Sequence, residues 1–309
     1  MRLKPLASPT IKPLSTALIA KDFISLYKHV HDDVLMAEKN TPLRVLHLRP
    51  SQLPFCVREF FINHARSGLY RFQDLASSYY TSVGHTVHEV MQNYLCRTGR
   101  FLADYHCREC GTWHRMSYVH ECCGFPTRYH EVEISYKGIE GHIDAVYKDK
   151  QGRLWILDFK TTSIASAEKK KTNPGAQYIE QIETYAVLLE LQYGLKIEGI
   201  MDAFIMRDNP RKDPTVYAKL LTDEGRKIIR RRLARYKKMH AQVLDVETWS
   251  QAKALLAYDR CEHDLCTVCK LGDDTILSRM KTAFKAGQKK GNLPIRAMAE
   301  RELAARRSK

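Results

Sequence analysis

Long apolar runs are missing from this sequence. The most apolar stretches, such as the one from Ala186 to Leu189, are interrupted by a charged residue within a turn or two. Because a helix needs about 20 apolar residues to cross a bilayer, the sequence predicts no membrane span. The basic N-terminal segment also lacks a continuous apolar core and a small-residue cleavage site. We therefore expect no secretion, and a transit peptide is left as an alternative.

Acidic residues are too few to balance the basic ones. Of 309 residues, 50 are Lys or Arg and 35 are Asp or Glu, which gives a formal net charge of +15. Such an excess suits a polyanionic partner such as nucleic acid, and by itself it would also suit an acidic membrane surface. Hydrophobic residues make up 44% of the chain, which is enough for a folded core and excludes a disordered protein.

Nine cysteines stand in tight spacings. This usage favours metal ligation in a reducing compartment over disulfides, and we expect a cytoplasmic location. Between residues 105 and 125 the chain carries two knuckles, C-x-x-C-G and H-x-x-C-G, in which glycine permits a tight turn around a metal. Four such ligands can close a tetrahedral zinc site, with Cys122 or His114 as substitutes. The predicted zinc ligands are Cys107, Cys110, His120 and Cys123.

The same insertion mixes cationic and aromatic side chains. Arg108, Trp113, His114, Arg115 and Tyr118 would suit contact with phosphates and unstacked bases. The alternative is that the insertion is a metal staple that only orders a loop. The sequence leaves both roles open.

A second group of cysteines follows near the C-terminus, at Cys261, Cys266 and Cys269. Three thiolates need a fourth ligand. Zinc could recruit His263 locally. The competing partner is Cys56, about two hundred residues earlier, in an apolar helix where a lone cysteine would otherwise be a small buried side chain.

Residues 139–160 predict two strands joined by a tight turn at residues 150–152, because β-branched and aromatic residues alternate around a polar, glycine-containing break. Asp158 and Lys160 share one face of the second strand. On the first strand Asp144 follows Gly141, His142 and Ile143, so a hairpin of these strands can bring both carboxylates beside one lysine. Hard cations such as Mg²⁺ and Mn²⁺ bind carboxylate oxygens and can clamp a phosphodiester. The alternative is a solvated hairpin edge.

Two predicted helices flank this hairpin. His88 lies four residues after Gly84 in the upstream helix, where His85 is an alternative ligand or substrate contact. Gln181 and Tyr185 stand one turn apart on one face of the downstream helix.

The order G-x-x-x-H, G-x-x-D, D-x-K and Q-x-x-x-Y resembles the RecB-like branch of the PD-(D/E)XK nucleases, over roughly residues 78 to 207. The resemblance implies metal binding by His88, Asp144 and Asp158, with the Phe159 carbonyl as a further ligand. It makes Lys160 the catalytic lysine. It also implies that Gln181 and Tyr185 hold the nucleic-acid backbone near the scissile bond. The acid at position 158 is Asp where many relatives have Glu.

The pattern around Cys56, S-x-L-x-x-C-x-R-x-(F/Y)-(F/Y), resembles the iron-sulfur members of that branch, which include CRISPR-associated and AddB-type exonucleases. The resemblance implies one 4Fe-4S cluster on Cys56, Cys261, Cys266 and Cys269. The C-terminal spacing differs from the C-x2-C-x5-C of some relatives, so zinc is left as the alternative metal.

The predicted fold is α/β, a restriction-endonuclease-like core with a central mixed sheet flanked by helices. It carries a zinc-knuckle insertion and a cluster that closes the N- and C-terminal regions. The predicted domains are an N-terminal helical region with the first cluster cysteine (1–77), a nuclease core with the insertion at about 105–125 (78–221), and a basic helical region with the other cluster cysteines (222–309).

The predicted function is metal-dependent hydrolysis of DNA, with exonuclease action on single-stranded ends in recombination, repair or replication. The alternatives are a structure-selective endonuclease and a non-catalytic nucleic-acid-binding or assembly subunit. The predicted cofactors are Mg²⁺ or Mn²⁺, a 4Fe-4S cluster and Zn²⁺. DNA is the predicted partner, and protein partners or a homo-oligomer are possible further ones.

Overall fold

The computed structural model describes Ser25 and residues 48–50, 56–66, 75–209, 211–258, 260–261, 266 and 268–307. The chain divides into two compact units, Met1–Pro42 with Gly68–Ser78 and Leu43–Ser67 with Tyr79–Lys309. The architecture below is that of the second unit. Apolar residues at helical spacing predict a helix at 17–31, and Ser51 is a predicted N-cap. Apart from Ser25, which is helical, both lie outside the described residues, as does the alternative ligand His263.

Eleven strands are present among the described residues. In chain order they are β1 Phe101–His106, β2 Trp113–Ser117, β3 Glu121–Cys122, β4 Phe125–Pro126, β5 Arg128–His130, β6 Val132–Tyr136, β7 Ile139–Ile143, β8 Ala145–Lys148, β9 Leu154–Thr162, β10 Ile197–Met206 and β11 Thr215–Leu220. Seven form one sheet in the order β11-β10-β9-β8-β1-β2, with β5 also paired to β1. Strands β9 and β10 are parallel and the other pairs are antiparallel, so the sheet is mixed.

Eight α-helices accompany the strands in the described part of the chain. They are α1 Val57–Ala65, α2 Leu75–Leu95, α3 Ile164–Thr172, α4 Ala176–Tyr193, α5 Asp223–Leu244, α6 Trp249–Ala254, α7 Asp273–Lys290 and α8 Ile295–Arg307. The predicted central mixed sheet flanked by helices is confirmed. None of the described helices has the length and apolar character needed to cross a membrane.

The centre of the sheet is buried, and this burial fixes the position of its polar residues. Ile156 and Phe159 on β9 are almost fully buried, and Ile182 and Leu189 on α4 are fully buried. The apolar residues of α4 pack with the sheet in one hydrophobic core. A polar side chain on β9 is therefore held by rigid, close-packed neighbours.

The predicted hairpin forms only in its second half. Strands β8 and β9 pair antiparallel around the expected turn, with Ala145 opposite Leu157. Strand β7 ends at Ile143, and it pairs instead with β6 in a separate two-stranded sheet. Asp144 consequently lies at the break between two sheets rather than within a strand.

Two further boundaries differ from the sequence prediction. Helix α1 begins at Val57 with Cys56 as its N-cap, because the Cys56 sulfur accepts a hydrogen bond from the Glu59 backbone N–H at 3.4 Å. The lysine-rich run at 166–171, for which a polar loop was one expectation, is helical and belongs to α3.

The first and last described parts of this unit pack together through helices α1 and α7. Gly287 on α7 faces the end of α1, where an added Cβ would lie 3.0 Å from the Ala65 carbonyl oxygen. Asn292 donates a side-chain hydrogen bond of 3.2 Å to that same oxygen. A larger residue at position 287 would therefore force these helices apart.

Candidate active site and metal centres

Asp144 occupies the centre of a polar cluster, because the break between β7 and β8 directs it toward β9. Its Oδ2 accepts a hydrogen bond of 2.9 Å from the Phe159 backbone N–H. The same oxygen lies 3.2 Å from His88 Nδ1 on helix α2. The structure thus brings together residues from a helix, a strand and a break that are far apart in the chain.

Asp158 and Lys160 lie on the same face of β9, as their spacing predicts. Lys160 Nζ lies 2.5 Å from Asp158 Oδ2, and the Asp158 side chain is only 9% exposed. A short ion pair with little access to water is electrostatically strong. It places a positive charge next to the carboxylate cluster.

Glu131 joins the cluster and was missed by the sequence reasoning. It follows β5 directly, and one ligand atom each from His88, Glu131 and Asp144 lies within 4.8 Å of the others. Gln92, one helical turn after His88, donates to Glu131 Oε1 at 2.9 Å and to the Asp144 carbonyl at 3.2 Å. The available signal was weak, since Glu131 only precedes a strand and is one of 35 acidic residues.

The predicted metal ligands are placed differently within this cluster. Asp158 is not part of the compact His88–Glu131–Asp144 group, and its carboxylate faces Lys160 instead. Phe159, whose carbonyl is a predicted ligand, lies on β9, and its backbone N–H donates a hydrogen bond to Asp144. His85, the alternative histidine, is exposed on α2.

The titration behaviour of the cluster fits a divalent cation. Burial lowers the pKa of His88, and the Lys160 charge lowers it further, so the neutral imidazole is favoured. Burial and the negative charge of Asp158 raise the pKa of Asp144 well above its usual value. Clustered carboxylates of this kind are stabilised in the charged form by an added cation. An imidazole with two carboxylates is a donor set suited to Mg²⁺ or Mn²⁺.

Lys160 remains charged despite its surroundings. Burial opposes its charge, but the negative charges of Asp158 and Asp144 outweigh that effect and raise the pKa of Lys160. The lysine is therefore a fixed cation rather than a proton donor that titrates near neutral pH.

Tyr185 packs beside the cluster, and Gly141 makes room for it. A Cβ on Gly141 would lie 2.8 Å from the Tyr185 ring and 2.9 Å from its hydroxyl oxygen, so only glycine fits this close approach. Burial raises the pKa of Tyr185, and the Asp158 and Asp144 charges raise it further. Gln181 lies half-buried one turn earlier on α4. Both predicted residues are thus on the predicted helix, and Tyr185 is at the site.

The insertion brings four cysteines together. One sulfur from each lies within 4.8 Å of the others, and the four are Cys107, Cys110, Cys122 and Cys123. Cys122 stands where the sequence favoured His120, whose Nδ1 lies 3.2 Å from the Tyr118 carbonyl oxygen. Cys122, a substitute ligand in the sequence prediction, is thus the residue that the structure groups with Cys107, Cys110 and Cys123.

The thiols of the insertion fit a soft metal ion. Hydrogen bonding with Thr112 lowers the pKa of Cys110 to about 6. Hydrogen bonding with Cys123 raises the pKa of Cys122 to about 12. Because zinc binds thiolates, its binding would release the protons that these thiols carry.

The predicted four-cysteine group also assembles across the chain. Sulfur atoms of Cys56, Cys261, Cys266 and Cys269 lie within 4.8 Å of one another. Cys56 Sγ is 3.4 Å from Cys269 Sγ and 3.5 Å from Cys266 Sγ. Hydrogen bonding to Cys261 and burial raise the pKa of Cys56, and burial raises the pKa of Cys266 to about 12. A metal or cluster would have to displace these protons.

Arg58 is the principal charged neighbour of this four-cysteine group. Its side chain is buried, with Nη1 3.6 Å from Cys269 Sγ. Its Nη2 donates to the Leu256 carbonyl at 3.0 Å and also to the Tyr258 carbonyl. A buried guanidinium beside this group would offset part of the negative charge that the sulfurs acquire on metal binding.

Several cations of the basic helix α5 have partners within the same unit. Arg226 pairs with Glu190 at 2.9 Å, Arg232 with Glu180 at 3.4 Å and Arg231 with Glu224 at 3.2 Å. Lys237 donates to the Lys137 carbonyl. These cations fasten α5 to the rest of the unit or to its own first turn.

Comparison with known proteins was made on sequence and structure. Residues 51–272, more than half of the chain, match the family model of the PD-(D/E)XK nuclease superfamily. Comparison with curated proteins gave no match.

Two solved structures are similar. "Crystal structure of SSO0001" has 15% identity and a TM-score of 0.36, covering 68% of this chain and 84% of that one. "Crystal Structure of LHK-Exo in complex with dAMP" has 12% identity and a TM-score of 0.39, covering 70% and 96%. The family match extends over the sheet, the carboxylate cluster and both four-cysteine groups, and the chain belongs to the PD-(D/E)XK nuclease superfamily.

Proposed function

We propose that this protein is a divalent-metal-dependent deoxyribonuclease that removes nucleotides from single-stranded DNA ends, in recombination, repair or replication. The observation that carries the proposal is the convergence of His88, Glu131 and Asp144 beside the Asp158–Lys160 pair. Such a cluster of buried ionisable groups is costly to fold and is typical of a catalytic centre. A subunit that only binds nucleic acid has little use for it.

The proposed roles follow from charge and placement. His88, Glu131 and Asp144 would hold Mg²⁺ or Mn²⁺, with Asp158 as the further ligand that the resemblance implies. When bound, the ion would supply Lewis-acid stabilisation of the charge on the phosphodiester. Lys160, a fixed cation, would stabilise the negative charge that grows on the phosphoryl oxygens during hydrolysis. Tyr185 and Gln181 would hold the nucleic-acid backbone.

Two structural cofactors belong to the same proposal. The four cysteines of the insertion would bind zinc, and the group at Cys56, Cys261, Cys266 and Cys269 would bind a 4Fe-4S cluster, as in the RecB-like iron-sulfur nucleases that the sequence resembles. Thiolates suit both centres. The support is that each group of four sulfurs is assembled in the fold.

The catalytic proposal is tested by two variants and one control. We expect Lys160→Ala and Asp158→Ala to lower the cleavage rate by about 100-fold or more, because the first removes the positive charge at the reacting phosphate and the second removes a metal ligand. DNA binding in Ca²⁺ should be largely kept. Lys219→Ala is the matched control, since it breaks a lysine–carboxylate pair of 2.6 Å with Glu183 elsewhere on the sheet.

The assay uses end-labelled single- and double-stranded DNA, linear and circular, and an RNA of the same sequence, with Mg²⁺, Mn²⁺ or neither. Wild-type protein should release mononucleotides from linear single strands and leave circles intact. Full activity in either variant would refute the mechanism. Equal cleavage of circular DNA would identify an endonuclease instead.

A further inference from the structure

A cleft opens beside the candidate metal site and extends toward the cysteine-rich insertion. Its volume is about 460 Å³, within the size of pockets that hold small organic ligands. Helix α2 contributes Gln92 to one wall, and the sheet contributes Trp113, Arg115 and Arg128 to another. Glu131 lines the cleft and also belongs to the candidate metal group, so the cleft adjoins the candidate metal site.

Trp113 is the outstanding side chain of this cleft. It is a large aromatic residue, yet 42% of it is exposed. Its ring centroid lies 4.7 Å from that of His106 and 4.7 Å from that of His130. Strand pairing fixes these neighbours, because His106 on β1 is opposite Trp113 on β2 and Arg128 on β5. An exposed indole held by three strands is a rigid surface rather than a mobile side chain.

Arg115 extends this surface with a positive charge. Its guanidinium carbon lies 4.2 Å from the centroid of the Trp113 ring. Buried Asp104 orients it, with an ion pair of 2.5 Å to Arg115 and a hydrogen bond of 2.8 Å from the Met116 N–H. The Arg115 side chain is still 59% exposed. A guanidinium stacked on an indole presents a flat, cationic face to which a second planar group can be added.

The charges of the cleft are divided between its two sides. Glu131 lies toward the candidate metal site, while Arg115 and Arg128 lie on the side of the insertion. Glu89 and Glu133 are exposed at its walls and would repel a phosphate that passed close to them. A nucleic-acid strand would therefore place its backbone near the arginines and a flat base against the aromatic surface.

We propose that Trp113, with Arg115 stacked on it, binds an unstacked nucleobase of a single-stranded segment next to the scissile phosphate. The proposal rests on the proposed nuclease function and names how its substrate is held. A base within a duplex is already stacked on its neighbours and cannot offer its face to an indole. The subsite would therefore favour single strands and frayed ends, with little preference for base identity, because every base has a stacking face.

The test is equilibrium binding of fluorescein-labelled oligothymidylate in Ca²⁺, which separates binding from cleavage. Trp113→Ala should weaken binding about tenfold, since stacking of one base on an aromatic side chain contributes about 1–3 kcal/mol. Trp113→Phe should keep most of the affinity. Phe125→Ala is the matched control, because Phe125 is a 57% exposed aromatic residue of the same insertion and does not line the cleft.

A second measurement locates the base. Oligonucleotides with one abasic nucleotide, moved along the strand, should bind wild-type protein more weakly at one position near the end. Trp113→Ala should lose that position dependence while it retains the zinc content of wild-type protein. Equal binding by Trp113→Ala and wild-type protein, or an abasic penalty that survives in the variant, would overturn the proposal.

The remaining outcomes distinguish this inference from the function on which it rests. Equal losses in Trp113→Ala and Phe125→Ala would assign the effect to the whole insertion and overturn the subsite. Wild-type protein that shows the abasic penalty but cleaves nothing in Mg²⁺ or Mn²⁺ would support the subsite and refute the nuclease proposal. Equal affinity for blunt duplex and single strands, with no abasic position effect, would refute the subsite alone.

Discussion

Asp202 lies beside Asp158 on the neighbouring parallel strand, at the register position directly opposite it. It is fully buried, and within the part of the chain that the structure describes neither of its carboxylate oxygens has a hydrogen-bond partner. Burial and the charge of Asp158 raise the pKa of Asp202 to about 7. Sequence reasoning missed this residue, because a single Asp in an apolar strand carries no motif.

The raised pKa makes stability depend on pH in a defined direction. An unfolded aspartate releases its proton near its ordinary pKa, whereas folded Asp202 keeps it to about pH 7. Between these values the folded state binds more protons, so stability falls as pH rises. We expect the free energy of unfolding of Asp202→Asn, relative to that of wild type, to rise by about 2 kcal/mol from pH 5 to pH 8. The reason is that the amide carries no charge at either pH.

Urea denaturation of both proteins at pH 5 and pH 8, without added divalent metal, measures this difference. The exposed carboxylate Asp213 gives the control, and Asp213→Asn should leave the pH dependence unchanged. A difference between Asp202→Asn and wild type that stays constant with pH would show that Asp202 is ionised throughout the range.

Single residues also show where a sequence stops being informative. The shared face of Asp158 and Lys160 could be predicted because their spacing on one strand fixes their direction, whereas the place of His88 and Tyr185 at the site was implied by the family resemblance. Glu131 could not be predicted, since it lies between β5 of the main sheet and β6 of the two-stranded sheet, and its place beside Asp144 depends on how the chain passes between them. Local periodicity predicts direction along an element, and only tertiary packing decides which elements meet.

Among the elements, those with strong local signals were predicted to within a few residues. The sequence predicts Thr222 as the N-cap of a basic helix that ends at about residue 241. Helix α5 begins after that cap, whose side chain accepts a hydrogen bond from the Gly225 N–H, and it extends to Leu244. The hairpin at 139–160 was only half right, because the switch of β7 to pair with β6 follows from register and not from alternation. The same alternation is compatible with either partner strand.

The insertion is the element on which a metal prediction can be isolated. Its sulfurs project from short strands and turns, and Cys123 and Gly124 have positive φ values of 54° and 79°. We expect a Cys107→Ser, Cys110→Ser double variant to lose one equivalent of zinc and to keep its iron, because two ligands of a tetrahedral site are removed. Elemental analysis of the purified proteins measures both metals.

The control for this variant is His120→Ala. Zinc retained in His120→Ala and lost in Cys122→Ser would select the four-cysteine set, and the reverse result would select the set predicted from the sequence. Unchanged zinc in the double variant would show that the insertion is not a zinc site. Unchanged nuclease activity after zinc loss would show that the zinc only orders the loop and that the insertion does not hold the substrate.

At the scale of the whole molecule, the second cysteine group joins parts of the chain that are 213 residues apart. Closing such a loop is unfavourable, but the entropic cost grows only with the logarithm of its length. Ligation of four thiolates can outweigh it, because binding to the folded state alone adds directly to stability. Helix α1 packs on α7 at Gly287, which holds the part of the chain with Cys56 close to the part with the C-terminal cysteines.

We expect anaerobically purified protein to be brown, with broad visible absorption from one iron-sulfur cluster. Cys56→Ser should remove the colour and lower the thermal unfolding temperature as much as Cys266→Ser, because either change opens the same long loop. Cys96→Ser is the matched control, since Cys96 is a buried cysteine outside both groups whose sulfur donates to the Asn93 carbonyl at 3.3 Å. That variant should keep the colour.

The contrary result is equally specific. If the C-terminal trio instead forms a local zinc site with His263, the protein will be colourless and carry a second equivalent of zinc. Cys56→Ser will then be harmless to metal content, because α1 supplies no ligand. Arg58 gives a further test of the first case, because its guanidinium lies 3.6 Å from Cys269 Sγ and would offset part of the negative charge of a cluster bound there. Arg58→Met should therefore destabilise the brown protein and release iron before zinc.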